Sequence, residues 1–334
     1  MKVWEIQQFG IENLALSERE EPKPAANEVL VRIQAASLNY RDLMMVKGFY
    51  NPKLKTPLIP FSDGAGEIVA VGENVRKWKT GDRVCPIFMQ GWTGGEISFE
   101  KAKTALGGDV DGVLREFAVF HENGLVRIPE HLSFEEAATL PCAAVTAWNA
   151  LAVSGSLRAG DTVLTQGTGG VSVFAAQFAR IFGAKIISTS SSDEKLQKVK
   201  EIGAAETINY KNTPDWDRAV LALTGKKGVD HIVEVGGAGT LAKSLNAVRT
   251  GGHIALIGVL SGAGEVNPVS ILMKAIKLHG IFVGSREMFE AMNRAIEINK
   301  LKPVIDKTFS FGQTREALKY MESAGHFGKI VIRF

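Results

Sequence analysis

The chain has 334 residues, 45% hydrophobic and 22% charged, which excludes a disordered chain and provides core for about two domains. Its 39 basic and 36 acidic residues leave a net charge of +3, which gives no field for holding nucleic acid or an anionic membrane. The two cysteines, Cys85 and Cys142, cannot build a disulfide framework or a four-cysteine zinc lobe. With no signal-peptide pattern at Met1–Ile6 and no apolar stretch long enough to span a bilayer, a cytoplasmic location is expected.

The first 125 residues read as β-rich. Val29–Ala35 and Glu67–Gly72 are apolar and β-branched, and Gly81-Asp82-Arg83-Val84 is a turn running into a strand. Prolines at 22, 24, 52, 57, 60 and 86 punctuate this half, and the glycines at 91, 94, 95, 107, 108 and 112 predict a loop over Met89–Leu114. A helix is expected after the cap-like Ser133, with Glu135 and Glu136 in its first turn. From about Thr139 the pattern changes to strands alternating with helices. The strands are Thr162–Thr165, Lys185–Thr189, His231–Val235 and His253–Ile257, and the helices Val171–Phe182, Asp193–Ile202 and about Leu241–Val248. That alternation predicts βαβ units around a parallel sheet. Helices near Met288–Asn299 and Thr314–Ala324 and a strand at Lys329–Ile332 close the chain.

The most informative segment is Gly167-Thr168-Gly169-Gly170-Val171-Ser172, a G-x-G-x-x-S turn between a buried strand and an apolar helix. Glycines let the backbone approach a pyrophosphate, which the helix N-terminus attracts through its unpaired N–H groups; Ser172 is small enough for close helix–sheet contact. An acidic residue about 20 positions on would bind the ribose 2′-hydroxyl of NAD. Here that stretch reads Ser190-Ser191-Ser192-Asp193-Glu194-Lys195, and hydroxyls with a lysine suit a 2′-phosphate. The sequence therefore favours NADP(H), although Ser191 and Glu194 also have the spacing of a capping box.

The order of motifs resembles, over nearly the full length, the medium-chain dehydrogenase/reductase superfamily and its zinc-free quinone-reductase-like branch. The matching pieces are Ser37–Asp42, Pro60–Glu67, Val71-Gly72, Gly81–Val84, Leu140–Trp148, Gly167–Ser172 and Gly328-Lys329. The resemblance implies an α/β protein with a GroES-like β-rich catalytic domain over 1–125, a Rossmann domain over 126–283, and a return to the first over 284–334. Zinc-dependent relatives carry a cysteine at Asn39, Gly-His-Glu at Phe61-Ser62-Asp63, and a cysteine at Cys142. Only Cys142 survives here, no histidine matches a ligand position, and Cys142 is read as a buried packing residue, so no zinc is expected.

Without a metal, ionising an alcohol lacks a shift worth roughly 12 kcal/mol, whereas a quinone or α,β-unsaturated carbonyl needs less help. NADPH-dependent reduction of such a small-molecule acceptor is the expected activity. The alternatives are an alcohol dehydrogenase or carbonyl reductase and, more remotely, a crystallin-like or RNA-binding relative. By resemblance, Asn39 orients the nicotinamide carboxamide or the substrate oxygen, and Tyr40 and Tyr50 line the pocket, relay a proton or simply pack. Arg41 and Asp42 read as a structural pair, and Asp63 as supportive. Cofactor contacts are implied at Asn39, Thr146, Gly167, Thr168, Gly169, Gly170, Val171, Ser190, Ser191, Lys195, Tyr210, Gly236, Gly258, Val283 and Lys329. Val259 belongs with Gly258 in one of these strand ends, and Lys329 reads equally well as a solvated edge lysine. A homodimer joined along Leu278–Val283 is also implied.

Overall fold

The computed structural model describes residues 1–258 and 264–334, so Val259 lies outside the described residues. The chain divides into two compact units, Met1–Val145 with Gly284–Phe334, and Thr146–Val283.

The first unit opens with the hairpin β1 (Lys2–Ile6) and β2 (Leu14–Glu18), then β3 (Glu28–Ser37), α1 (Tyr40–Val46), β4 (Asp63–Val71) and β5 (Arg83–Pro86). The glycine-rich stretch 89–114 is mostly irregular, holding only the short α2 (Phe99–Ala102), and Trp92, Leu106 and Val113 bury it in the unit. β6 (Phe117–His121) and β7 (Leu125–Arg127) follow. Residues 126–145, expected in the second unit, belong to the first, because β7 pairs with β5. The helix expected after Ser133 is the short α3 (Phe134–Ala137). There Ser133 Oγ accepts Glu136 N–H at 3.1 Å and Glu136 Oε2 accepts Ser133 N–H at 2.8 Å. Leu140–Ala144 is wound as a π-helix, continuing into α4 (Val145–Trp148).

In the second unit, β8 (Thr162–Gln166), α5 (Gly170–Ile181), β9 (Lys185–Ser190) and α6 (Asp193–Ile202) match the predicted alternation. Next come β10 (Glu206–Asn209) and α7 (Trp216–Leu223), neither of which the sequence pattern announced. β11 (Val229–Glu234), α8 (Ala238–Ala247), β12 (Val248–Leu256), α9 (Val269–Met273) and β13 (Lys277–Gly280) complete it. The sheet runs β10-β9-β8-β11-β12-β13 with every pair parallel. This is the doubly wound order in which the second half starts beside the first strand, so a crevice opens between the carboxyl ends of β8 and β11. Leu164, Ile187, Ile232, Ile254, Trp216 and Leu245 pack its core.

The chain then returns to the first unit through α10 (Arg286–Ile298), β14 (Ile305–Ser310), α11 (Thr314–Glu322) and β15 (Lys329–Arg333). β15 pairs antiparallel with β3 and parallel with β14, extending a seven-stranded sheet.

In the second unit a row of histidines crosses three adjacent strands. His231 and His253 are in register, with ring centroids 5.6 Å apart, and His279 lies 5.2 Å beyond His253. Ser154 Oγ lies 3.1 Å from His253 Nε2 and 2.6 Å from His279 Nδ1, while His231 Nε2 meets Asp161 Oδ2 at 3.1 Å. Burial, reinforced by His231, His279 and Lys277, lowers the His253 pKa from 6.5 to about 4. The unfolded chain therefore takes this proton first. Its contribution is intact above pH 6.5 and is lost as the pH falls toward 4. Between pH 7 and 4, urea unfolding should show wild-type stability falling on the order of 3 kcal/mol further than that of His253→Leu. Equal losses in the two proteins would place the acid sensitivity elsewhere.

Candidate active site

In the second unit the cradle forms where β8 ends. Gly167 has φ +69°, which an L side chain rarely adopts, and its N–H donates to Thr189 O at 2.8 Å, tying the turn to β9. Gly169 is the N-cap of α5 and has no side chain with which to close it, so the first-turn N–H groups of Gly170 and Val171 face an uncapped helix end. A Cβ placed on Gly167 or Gly169 would meet nothing within 4 Å. Open space over an uncapped helix end is what a pyrophosphate requires, and the segment fits that group. Thr168 is buried, and Ser172 Oγ donates to Gln166 O at 2.6 Å, locking helix to strand.

The stretch after β9 differs from the expected capping box. α6 begins at Asp193, one residue later than that box requires, and Ser192 Oγ accepts Lys195 N–H at 3.3 Å. Ser191 is thereby released from capping, and Lys195 lies half-buried in the first turn. Ser190 is buried, with Ser192 N–H donating to its Oγ at 3.4 Å, and Tyr210 N–H donates to Ser190 O at 3.0 Å. Ser190, Ser191, Lys195 and Tyr210 are thus gathered at one end of the sheet. On the other side of β8, Gly236 and Gly258 follow β11 and β12. A Cβ on Gly258 would lie 1.9 Å from Val235 O, so close backbone packing accounts for this glycine. Thr146 is buried in α4, and Val283, with φ +57°, accepts Asn149 Nδ2–H on its carbonyl at 2.7 Å.

The first unit holds a buried charge cluster. Lys329, only 3% exposed, donates from Nζ to Leu38 O at 2.7 Å and Asn39 Oδ1 at 2.6 Å, and lies 3.6 Å from Asp63 Oδ2. The solvated reading of Lys329 is therefore overturned: pairing of β15 with β3 carries it beneath the start of α1. Asn39 is the N-cap of α1, and its buried Nδ2 lies beside the Asp63 carboxylate. Burial raises the Asp63 pKa, opposed by Lys329, by the nearby Asn39 amide, by Ser62 and by the Cys142 N–H. Asp42 accepts Asn39 N–H at 2.8 Å, and burial lifts its pKa to about 6 against the pull of Arg41.

Arg41 Nη1 donates to Leu106 O at 2.8 Å, and its guanidinium lies over the rings of Phe88 and Tyr50. Tyr40 and Tyr50 are both about half exposed, at 47% and 49%. Of the catalytic and cofactor candidates in this unit, Asn39 and Lys329 are brought into hydrogen-bond contact, whereas Tyr40 and Tyr50 are left exposed. Cys142 is less enclosed than expected, retaining intermediate exposure, yet burial and the Asp63 carboxylate push its thiol up, so it remains protonated near neutrality.

Residues 25–130 match the alcohol dehydrogenase GroES-like domain, and residues 170–297 match the zinc-binding dehydrogenase family. A zinc-type alcohol dehydrogenase-like protein of Schizosaccharomyces pombe is 45% identical over 332 residues, covering 97% of this chain and 96% of that protein. The quinone oxidoreductase of Homo sapiens is 31% identical over 319 residues, 93% of this chain and 90% of its own length. A crystal structure of an NAD-dependent alcohol dehydrogenase superposes with a TM-score of 0.91 at 34% identity, each chain covered fully at 100%. The chain belongs to the medium-chain dehydrogenase/reductase superfamily.

It is an oxidoreductase of that superfamily, with both quinone oxidoreductases and alcohol dehydrogenases among its relatives. The zinc named by one matching family does not fit the residues of this chain. Asn39 and Ser62 stand at two of the ligand positions, and the Lys329 ammonium is bonded into the same group. Among the described residues no group of three or more His, Cys, Asp or Glu side chains could hold a metal ion.

The cradle and packing glycines should separate on substitution. Gly169→Ala should leave the melting temperature unchanged while weakening dinucleotide binding, because its Cβ enters open space. Gly258→Ala should lower the melting temperature by several degrees, the equivalent of about 1–3 kcal/mol of overpacking. Scanning calorimetry and a fluorescence titration measure the two effects; equal melting shifts would refute the distinction.

Proposed function

We propose that this medium-chain reductase binds NADP(H) in its second unit and reduces a quinone or α,β-unsaturated carbonyl without zinc. The observation that carries the reading is the Lys329–Asn39 pair: a buried ammonium bonded to an amide oxygen, with the two-hydrogen amide nitrogen beside the Asp63 carboxylate of the same cluster. When bound, a dihydronicotinamide supplies a hydride to the acceptor. The protein must then stabilise the negative oxygen that forms, and a preorganised donor in a water-poor site does this best. Asn39 Nδ2 is that donor in this reading, and Lys329 polarises the amide from its far end. Tyr40 and Tyr50, both exposed, are the candidates for returning a proton from solvent to the reduced oxygen.

Cofactor choice rests on the end of β9. Gly167, Thr168, Gly169, Gly170 and Val171 take the pyrophosphate, with Thr146, Gly236, Gly258 and Val283 toward the nicotinamide half. Ser191 and Lys195, with Tyr210 against the adenosine, take the 2′-phosphate; Ser190, already engaged with Ser192, orders this turn. Beyond its amide role, Lys329 donates to Leu38 and Asn39 and forms an ion pair with Asp63. A second reading, NAD-dependent oxidation of a saturated alcohol, is favoured by the 34%-identical structural relative that bears that description.

NADPH oxidation followed optically, across quinones, enones, aldehydes and ketones with NADH alongside, distinguishes these readings. Fastest turnover with NADPH and a quinone or enone is expected. Lys195→Ala should weaken NADPH binding about tenfold or more and leave NADH unaffected, since one charge-assisted contact to a phosphate is lost. A preference for NADH would overturn the 2′-phosphate argument, and turnover confined to saturated alcohols would overturn the acceptor.

We also propose a homodimer joined through β13, an edge strand whose only sheet neighbour among the described strands is β12. Beside it in sequence, Val269, Leu272 and Met273 of α9 are exposed at 56%, 78% and 74%. Sedimentation equilibrium should give twice the chain mass, falling toward the monomer on Leu272→Glu; a monomeric wild type at micromolar concentration would sink the idea.

A further inference from the structure

Glu234 ends β11 at the topological switch point, is wholly buried, and was not among the residues that the sequence marked for the site. Its carboxylate accepts five hydrogen bonds, all from neutral donors. Oε1 takes Gly236 N–H at 2.9 Å, Gly237 N–H at 3.0 Å and the Thr240 hydroxyl. Oε2 takes Gln166 Nε2–H at 2.8 Å and the Ser244 hydroxyl. Its backbone carbonyl accepts Ile257 N–H at 2.9 Å and Gly258 N–H at 3.3 Å. One residue thus ties the end of β8, the turn after β11, two turns of α8 and the strand end after β12.

The wiring is specific to a carboxylate. Gln166 Nε2 also donates to Ser244 Oγ at 2.7 Å, so that hydroxyl must spend its single hydrogen on Glu234. Every partner of Glu234 is then a donor, and only a group that accepts at both oxygens satisfies them. An amide in its place would present an N–H₂ to donors on one side or the other. Gln166 extends the tie, because its carbonyl is the acceptor for Ser172 in the cradle helix.

We infer that Glu234 is a positioning residue that holds the two crevice turns, 166–172 and 235–237, in the arrangement that the pyrophosphate and nicotinamide half of the cofactor needs. The inference rests on the NADP(H) reading above. A carboxylate isolated from cations is costly to bury, and a well-packed apolar residue would close a strand end more favourably. What the carboxylate adds is the fixed direction of two loop N–H groups.

The test compares two ligands by fluorescence titration and calorimetry. NADPH spans the crevice, whereas adenosine 2′,5′-bisphosphate reaches only the end of β9. Glu234→Gln should weaken NADPH about tenfold or more while changing the bisphosphate by less than about twofold. Should that variant fail to fold, Thr240→Val and Ser244→Ala each remove a single donor and should show the same contrast at smaller size. In steady state the KM for NADPH should rise more than kcat falls. Equal weakening of both ligands, or an unchanged NADPH affinity in a folded Glu234→Gln, overturns the positioning role. A wild type that binds neither ligand removes the cofactor reading, and the role of Glu234 goes with it.

Discussion

Each unit contains a charge that water hardly reaches, and the site around it follows from how that charge is compensated. Lys329 is 3% exposed and Glu234 is fully buried. Taking either ion out of water costs several kcal/mol, recovered only if every hydrogen or lone pair finds a partner. The two solutions differ. Lys329 is met by a backbone carbonyl, an amide oxygen and the Asp63 carboxylate, so its cluster contains an ion pair. Glu234 is met only by neutral donors, so its charge spreads into backbone dipoles and hydroxyls. The first arrangement concentrates field at one amide; the second distributes order over several loops. That contrast supports the proposed division into a chemical group in the β-rich unit and a binding frame in the parallel-sheet unit.

How much of this was legible depends on the distance over which each feature is encoded. β8, β9, β11 and β12 are short apolar runs, and the cradle between β8 and α5 is local, so both were readable. β10 has a single buried position, Ile208, and β14 carries Asp306, Lys307 and Thr308 in succession, with Phe309 as its one buried residue. Those strands owe their state to neighbours in the sheet rather than to their own pattern. The helical run over 140–154 contains Pro141 and is wound partly as π, which periodicity at 3.6 residues cannot announce.

The site divides in the same way. Ser192 rather than Ser191 caps α6 because the helix begins one residue late, a shift within the ordinary uncertainty of helix ends. Lys329 opens an apolar strand in the sequence, where it reads as well as a solvated edge lysine, and is buried through the pairing of β15 with β3, which lies nearly the whole chain away. Glu234 reads as one charge in an apolar strand, and its partner Gln166 is 68 residues earlier. Both became visible only when topology brought remote donors and acceptors together. A buried glutamate directly followed by Val235, Gly236 and Gly237 was the one available signal, since a charge at a strand end before glycines has only loop amides to meet.

Under the proposed reading, an ammonium held through an amide and a directly bound metal would serve different ranges of acceptors. A directly bound cation lowers the pKa of an oxygen ligand by about nine units, whereas removing a preorganised donor typically costs about 3–4 kcal/mol. Lys329 is bonded to the Asn39 amide, so in the proposed role its influence would reach an oxygen only through that amide and would belong to the second scale. An oxygen that becomes a phenolate or an enolate already spreads its charge over conjugated carbon, and the donor has only the remainder to stabilise. An alkoxide has no such delocalisation and leaves the whole deficit to the protein. Under the proposed reading, the compensation of one buried lysine would thus order conjugated acceptors ahead of simple ones.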